Sequence, residues 1–182
     1  MTKRGLAVLA IVGALGFMSI AAVVTTAAVQ GRFGNDQHPT IANCGPHHPT
    51  GTVVRVTLSD RGGGMMGGAN TMMVSLDAVP SVVASGPITF VATNTGALNH
   101  ELVVLRAPSD GVGTRPVLND GKIDEASSLG EASRSCASGA GNGISPGATS
   151  WVTRTLAPGR YELVCDEPWH YANGMFQMFV VR

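Results

Sequence analysis

The chain has 182 residues, of which 44% are hydrophobic and 13% charged, which is enough apolar material for one packed domain and too much for a disordered chain. Twelve Lys and Arg balance twelve Asp and Glu, so no basic face offers itself to nucleic acid and no acidic tail is present.

Lys3 and Arg4 precede an uncharged run from Gly5 to Gln30 rich in Ala, Val, Leu and Ile, after which the chain turns polar at Gly31 and Arg32. A secretory hydrophobic region takes about 7 to 15 residues and a spanning helix about 20. Residues 1–30 are therefore expected to form a membrane anchor, with Thr26 and Ala28 offering small residues for cleavage as a signal peptide. Either outcome places the rest of the chain outside the cytoplasm, in the periplasm or at the cell surface. Residues 31–51, broken by Gly31, Gly34, Pro39, Gly45, Pro46 and Pro49, read as a linker. His38, Cys44, His47 and His48 gather metal donors there, but in no zinc spacing with a second ligand pair.

From residue 52 onward short β-rich runs alternate with turn residues. They are VVRVTL at 53–58, NTMMVSL at 70–76, ITFVATN at 88–94 and ELVVL at 101–105, then WVTRTL at 151–156, YELVC at 161–165 and MFQMFVV at 175–181. Seven such runs predict an all-β sandwich over residues 52–182. Met65, Met66, Met72 and Met73 flank the glycine-rich stretch GGGMMGGAN, either filling gaps at a sheet end or offering thioethers as soft ligands to a metal ion. Residues 106–150 are rich in Gly, Ser, Ala and Asp, and DEASSLGEASRS at 124–135 carries the charge order of a short helix. The turn Ala157-Pro158-Gly159-Arg160 leads into the run that ends at Cys165.

The closing segment YELVCDEPWHYANGM spaces Cys165, His170 and Met175 as Cys-x4-His-x4-Met, and His100 stands apart in TNTGALNHELVVL. One thiolate, two imidazoles and a thioether are the ligand set of a blue copper centre, whose trigonal field suits both oxidation states. Alternation puts His100 on one face with Leu102 and Val104, and Cys165 with Tyr161 and Leu163, so both ligands continue inward rows. With Cys165 so used, Cys44 and Cys136 are left either as a disulfide or as two unpaired thiols.

In order and spacing these residues resemble the cupredoxins, the family of plastocyanin, azurin, rusticyanin and sulfocyanin, with the spacing most similar to the rusticyanin type. The resemblance implies a Greek-key β-sandwich or barrel over 52–182 and one type 1 copper ion held by His100, Cys165, His170 and Met175. Glu101 departs from the family, which carries Asn, Ser or Thr after the first histidine. An ionised carboxylate only accepts hydrogen bonds, and alternation points it away from His100. The implied function is single-electron transfer by Cu(I)/Cu(II) cycling. Redox protein partners would dock near His170 on an apolar mouth of Pro168, Trp169, Tyr171, Ala172 and Phe176, with negative charge from Asp166 and Glu167. Copper delivery or sequestration outside the cytoplasm is the alternative, motivated by the methionine and histidine clusters. A copper enzyme needs further histidine ligands, and only His38, His47 and His48 remain, all in the linker.

Overall fold

The structure, a computed structural model, describes residues 44–61 and 73–182. The expected anchor over 1–30, most of the linker with His38, and Met65, Met66 and Met72 lie outside the described residues. Among the described residues no helix is long and apolar enough to cross a membrane.

Two sheets carry the fold. The first orders its strands β2 (Met73–Val79), β1 (Thr52–Arg61), β4 (Gly86–Asn94) and β7 (Thr149–Leu156). The second orders β3 (Val82–Val83), β9 (Phe176–Val181), β8 (Gly159–Val164), β5 (Leu102–Arg106) and β6 (Gly130–Ala132). β1 pairs parallel with β4, and β3 with β9, while the other pairs are antiparallel. Period-2 alternation decides which face is buried. On β1, Val54, Val56 and Leu58 are buried whereas Arg55 and Thr57 are exposed. Their row meets Leu102, Val104, Tyr161, Leu163 and Phe179 of the other sheet in one core. Phe90 and Phe179 join the sheets edge to face with ring centroids 5.1 Å apart, a contact worth about 0.5–1.5 kcal/mol beyond its area.

A smaller cluster lies on the opposite face of the second sheet, where Val103, Leu105, Val164 and Tyr171 are covered by Ile123. The excursion after β5 thus supplies a lid to a sheet that would otherwise expose apolar residues. Glu162, fully buried on that face, accepts hydrogen bonds from Gly113 N–H (2.7 Å), Arg115 Nε (2.6 Å) and the Tyr171 hydroxyl (2.9 Å).

The helix expected over 124–135 does not form. Asp124 turns its carboxylate onto the Ala126 N–H, the Asx arrangement that competes with a helix start. Leu129 N–H then bonds the Val104 carbonyl and β6 pairs with β5. The run expected at 70–76 is β2, beginning at Met73. Cys44 and Cys136 form a disulfide across 92 residues with Cα atoms 4.8 Å apart. Closing so long a loop stabilises by on the order of 4 kcal/mol in the chain-entropy account.

Candidate metal centre

β8 hands over to Cys165 just past the last register pair of the β8–β9 ladder, Val164 with Phe176. The ladder runs on into the loop, with Cys165 N–H donating to the Met175 carbonyl at 3.0 Å. Between them the chain closes on itself. His170 N–H bonds the Glu167 carbonyl (2.9 Å) and Met175 N–H the His170 carbonyl (3.1 Å). The single 3-10 turn Tyr171–Asn173 ends on Gly174 at φ +91°, a backbone state open to glycine without a Cβ clash. The two four-residue spacings are thus each one compact turn, and they return His170 and Met175 to the end of the core beside Cys165.

His100 comes from the connection between β4 and β5. Asn94 Nδ2 donates to the Leu98 and Ile144 carbonyls (2.7 and 2.6 Å), and its Oδ1 accepts the Gly96 N–H at 2.8 Å. The His100 backbone bridges to Ile144 in both directions, at 3.2 and 2.6 Å. Asp60 Oδ1 accepts the N–H groups of Ala97 (2.8 Å) and Leu98 (2.9 Å) and stands 2.9 Å from His100 Nε2.

Three donor atoms converge where these segments meet. Nδ1 of His100 is 3.2 Å from Nδ1 of His170, and Cys165 Sγ lies 3.3 Å from the latter and 3.9 Å from the former. His100 and Cys165 are wholly buried and His170 is 4% exposed. Met175 is fully buried in the same core cluster as Cys165.

The sulfocyanin (SoxE) domain profile matches residues 68–182, well over half of the chain. The chain belongs to the sulfocyanin family of cupredoxins. No curated protein matches it in sequence. Among solved structures it is similar to reduced auracyanin of Roseiflexus castenholzii, at 22% identity and TM-score 0.44 over 72% of this chain and 96% of that one. Auracyanin A, a blue copper protein of Chloroflexus aurantiacus, is 19% identical with TM-score 0.44, over 71% and 99%. Rusticyanin of Thiobacillus ferrooxidans is 18% identical with TM-score 0.42, over 73% and 79%. The family's cofactor is type 1 copper.

The donor set fits that ion. With bonds of the lengths zinc makes, about 2.0 Å to nitrogen and about 2.3 Å to sulfur, an ion in a trigonal field would separate the donors by roughly 3.5 to 3.7 Å. The three observed separations bracket those values. Burial pushes the His100 imidazole below its ordinary value, with the Asp60 hydrogen bond and charge opposing. Burial, then the neighbouring His100, hold His170 down to about 4. Both rings are therefore neutral near pH 7, as ligation requires. Burial pushes the Cys165 thiol up, against the lowering by the Glu101 N–H, so metal binding must displace its proton.

Several expectations about the surroundings are corrected. Tyr171 is 2% exposed with its hydroxyl on Glu162, so it lines no open mouth, and the half-buried Phe176 packs against it at 5.1 Å. Asp166 is 1% exposed and accepts the Ile123 N–H at 2.6 Å, so it adds no surface charge. Trp169, at 52% exposure, with Pro168 and Ala172 forms the outer rim of the loop. Glu101 does turn away from His100, toward Lys122, and its backbone N–H donates to Cys165 Sγ at 3.3 Å. The tie between ligand segments is thus made by main chain, which any residue type supplies. His47 and His48 are exposed in the segment before β1. Asp60 is the site residue that sequence reasoning misses. The signal was present: Val54, Val56 and Leu58 define an inward row, and Asp60 is its next member.

Proposed function

We propose that the protein is a one-electron carrier and not an enzyme, holding a single copper ion between His100, Cys165, His170 and Met175. The convergence of two imidazole nitrogens and one thiol sulfur within 3.9 Å of one another, all three side chains buried, is the observation that carries this reading. Copper supplies a Cu(I)/Cu(II) couple there, and a trigonal thiolate and imidazole field suits both states. The chain's own contribution is to keep the donors still. Ile144 and Asn94 hold the His100 segment, and the Cys165 to Met175 backbone bond holds the loop, so little reorganisation accompanies a change of charge. The Glu101 N–H aimed at Cys165 Sγ supports the thiolate form.

His170 is the proposed route for the electron, since the exposed Pro168 and Trp169 precede it and exposed Ala172 follows it. A small apolar rim of this kind suits brief docking by a redox protein partner. The Cys44–Cys136 disulfide supports an extracytoplasmic location. Residues 1–30 remain proposed as the anchor or signal segment, 31–51 as the linker and 52–182 as the copper domain.

Stepwise redox titration of the copper-loaded protein in the presence of a Cu(I) chelator tests the carrier reading. A carrier bleaches with one electron equivalent, keeps its copper and recovers its colour on reoxidation. Transfer of the reduced ion to the chelator would instead indicate a delivery protein.

A further inference from the structure

We propose that Asp60 is a positioning residue of the metal centre, fixing the His100 ring and lowering the reduction potential through it. The inference rests on the reading of His100 as a ligand. The Asp60 and His100 side chains are 3% and 0% exposed, and Oδ1 lies 2.9 Å from Nε2. A carboxylate only accepts, so the hydrogen sits on Nε2. The ring is thereby held in the tautomer whose Nδ1 lone pair faces Cys165 and His170. An outer carboxylate of this kind orients a ligating histidine and raises its basicity.

The same oxygen accepts the Ala97 and Leu98 N–H groups, so one atom fastens both the ligand ring and the loop that presents it. Gly96 shows how tightly that cradle is built. A Cβ at Gly96 would lie 2.0 Å from Asp60 Oδ1 and 2.7 Å from the Asp60 backbone nitrogen, so only glycine leaves the carboxylate its place. The charge has a direction of effect. A negative group hydrogen-bonded to a ligand stabilises the more positive oxidation state of the ion, which holds the potential below that of a neutral partner.

Asp60→Asn separates charge from shape, because the amide oxygen still accepts from Ala97, Leu98 and His100. In the full-length, copper-loaded protein the variant is expected to keep its thiolate-to-copper band. Its preference for Cu(I) over Cu(II) should rise at least tenfold, a positive midpoint shift of about 59 mV for one electron. A purely structural role would leave the midpoint where it is in wild type, and that result overturns the proposal. If Asp60→Asn does not fold, Asp60→Ser is judged by the same criterion. Imidazole nitrogen NMR of the metal-free wild type gives a readout independent of any variant. It should show His100 protonated on Nε2, and protonation on Nδ1 overturns the proposal. A wild type without the band overturns the ligand reading and this proposal together, whereas a band with an unmoved midpoint overturns only the role of Asp60.

Discussion

Behind Cys165, on the face of the second sheet turned away from His100 and His170, Glu101, Glu125 and Asp166 bring carboxylate oxygens within 4.8 Å of one another. Lys122 Nζ stands 4.0 Å from Glu101 Oε1, an oxygen with no hydrogen-bond partner among the described residues. Burial raises Glu101 to about 7 in spite of Lys122. Burial, then Asp166, raise Glu125 to about 8. Carboxyls raised above their unfolded values favour the folded state most at low pH, and that advantage is lost as pH climbs through the folded values. The histidines act oppositely. His100 and His170 are depressed below 6.5, so their contribution is complete above that pH and fades as pH falls. Between pH 6.5 and 8 the carboxyls outweigh the histidines, whose opposing contribution fades over the lower part of that interval. The metal-free protein is therefore expected to melt at progressively lower temperature across that interval, and Glu125→Gln to flatten the trend. A melting temperature that holds or rises over the same interval in wild type would contradict this assignment.

At the scale of elements, β8 divides its residues between two tasks. Tyr161 and Leu163 enter the core between the sheets and lead on to Cys165, while Val164 and Glu162 face the excursion that follows β5. Glu162→Ala leaves the Arg115 guanidinium, the Gly113 N–H and the Tyr171 hydroxyl without their shared acceptor. Removing one member of a buried ion pair costs about 3 to 5 kcal/mol, so chemical denaturation should show a loss near the lower figure, Arg115 being partly exposed. A loss below about 1 kcal/mol would mean that the clamp is not what fastens residues 107–129. Alternation alone made the inward half of β8 legible in the sequence. Glu162 was not, because its partners Arg115 and Gly113 are 47 and 49 residues away and no local pattern records such a meeting. The two- and three-residue strands β3 and β6 escape for a related reason, since pairing with β9 and β5 defines them more than any run of β-formers.

For the molecule as a whole, the excursion from 106 to 150 turns out to be scaffold. Its first part covers the outer face of the second sheet through Ile123 and Arg115, and its second carries Cys136 of the disulfide and Ile144, the backbone partner of His100. Composition marked this stretch only as rich in turn residues, because the hydrogen bonds that order it reach distant strands. Cys165, His170 and Met175 were legible because their geometry is local, set by two tight turns and a strand ladder. His100 was legible only in their company, and Asp60 required reading a charged residue as the end of a buried row. His100, Cys165, His170 and Met175 are proposed to form one copper centre. An optical spectrum of the protein after adding one equivalent of Cu(II), beside Cys165→Ala, tests it most directly. An intense visible thiolate-to-copper band is expected in the wild type and is absent from the variant. Identical spectra with only weak copper absorption would contradict it.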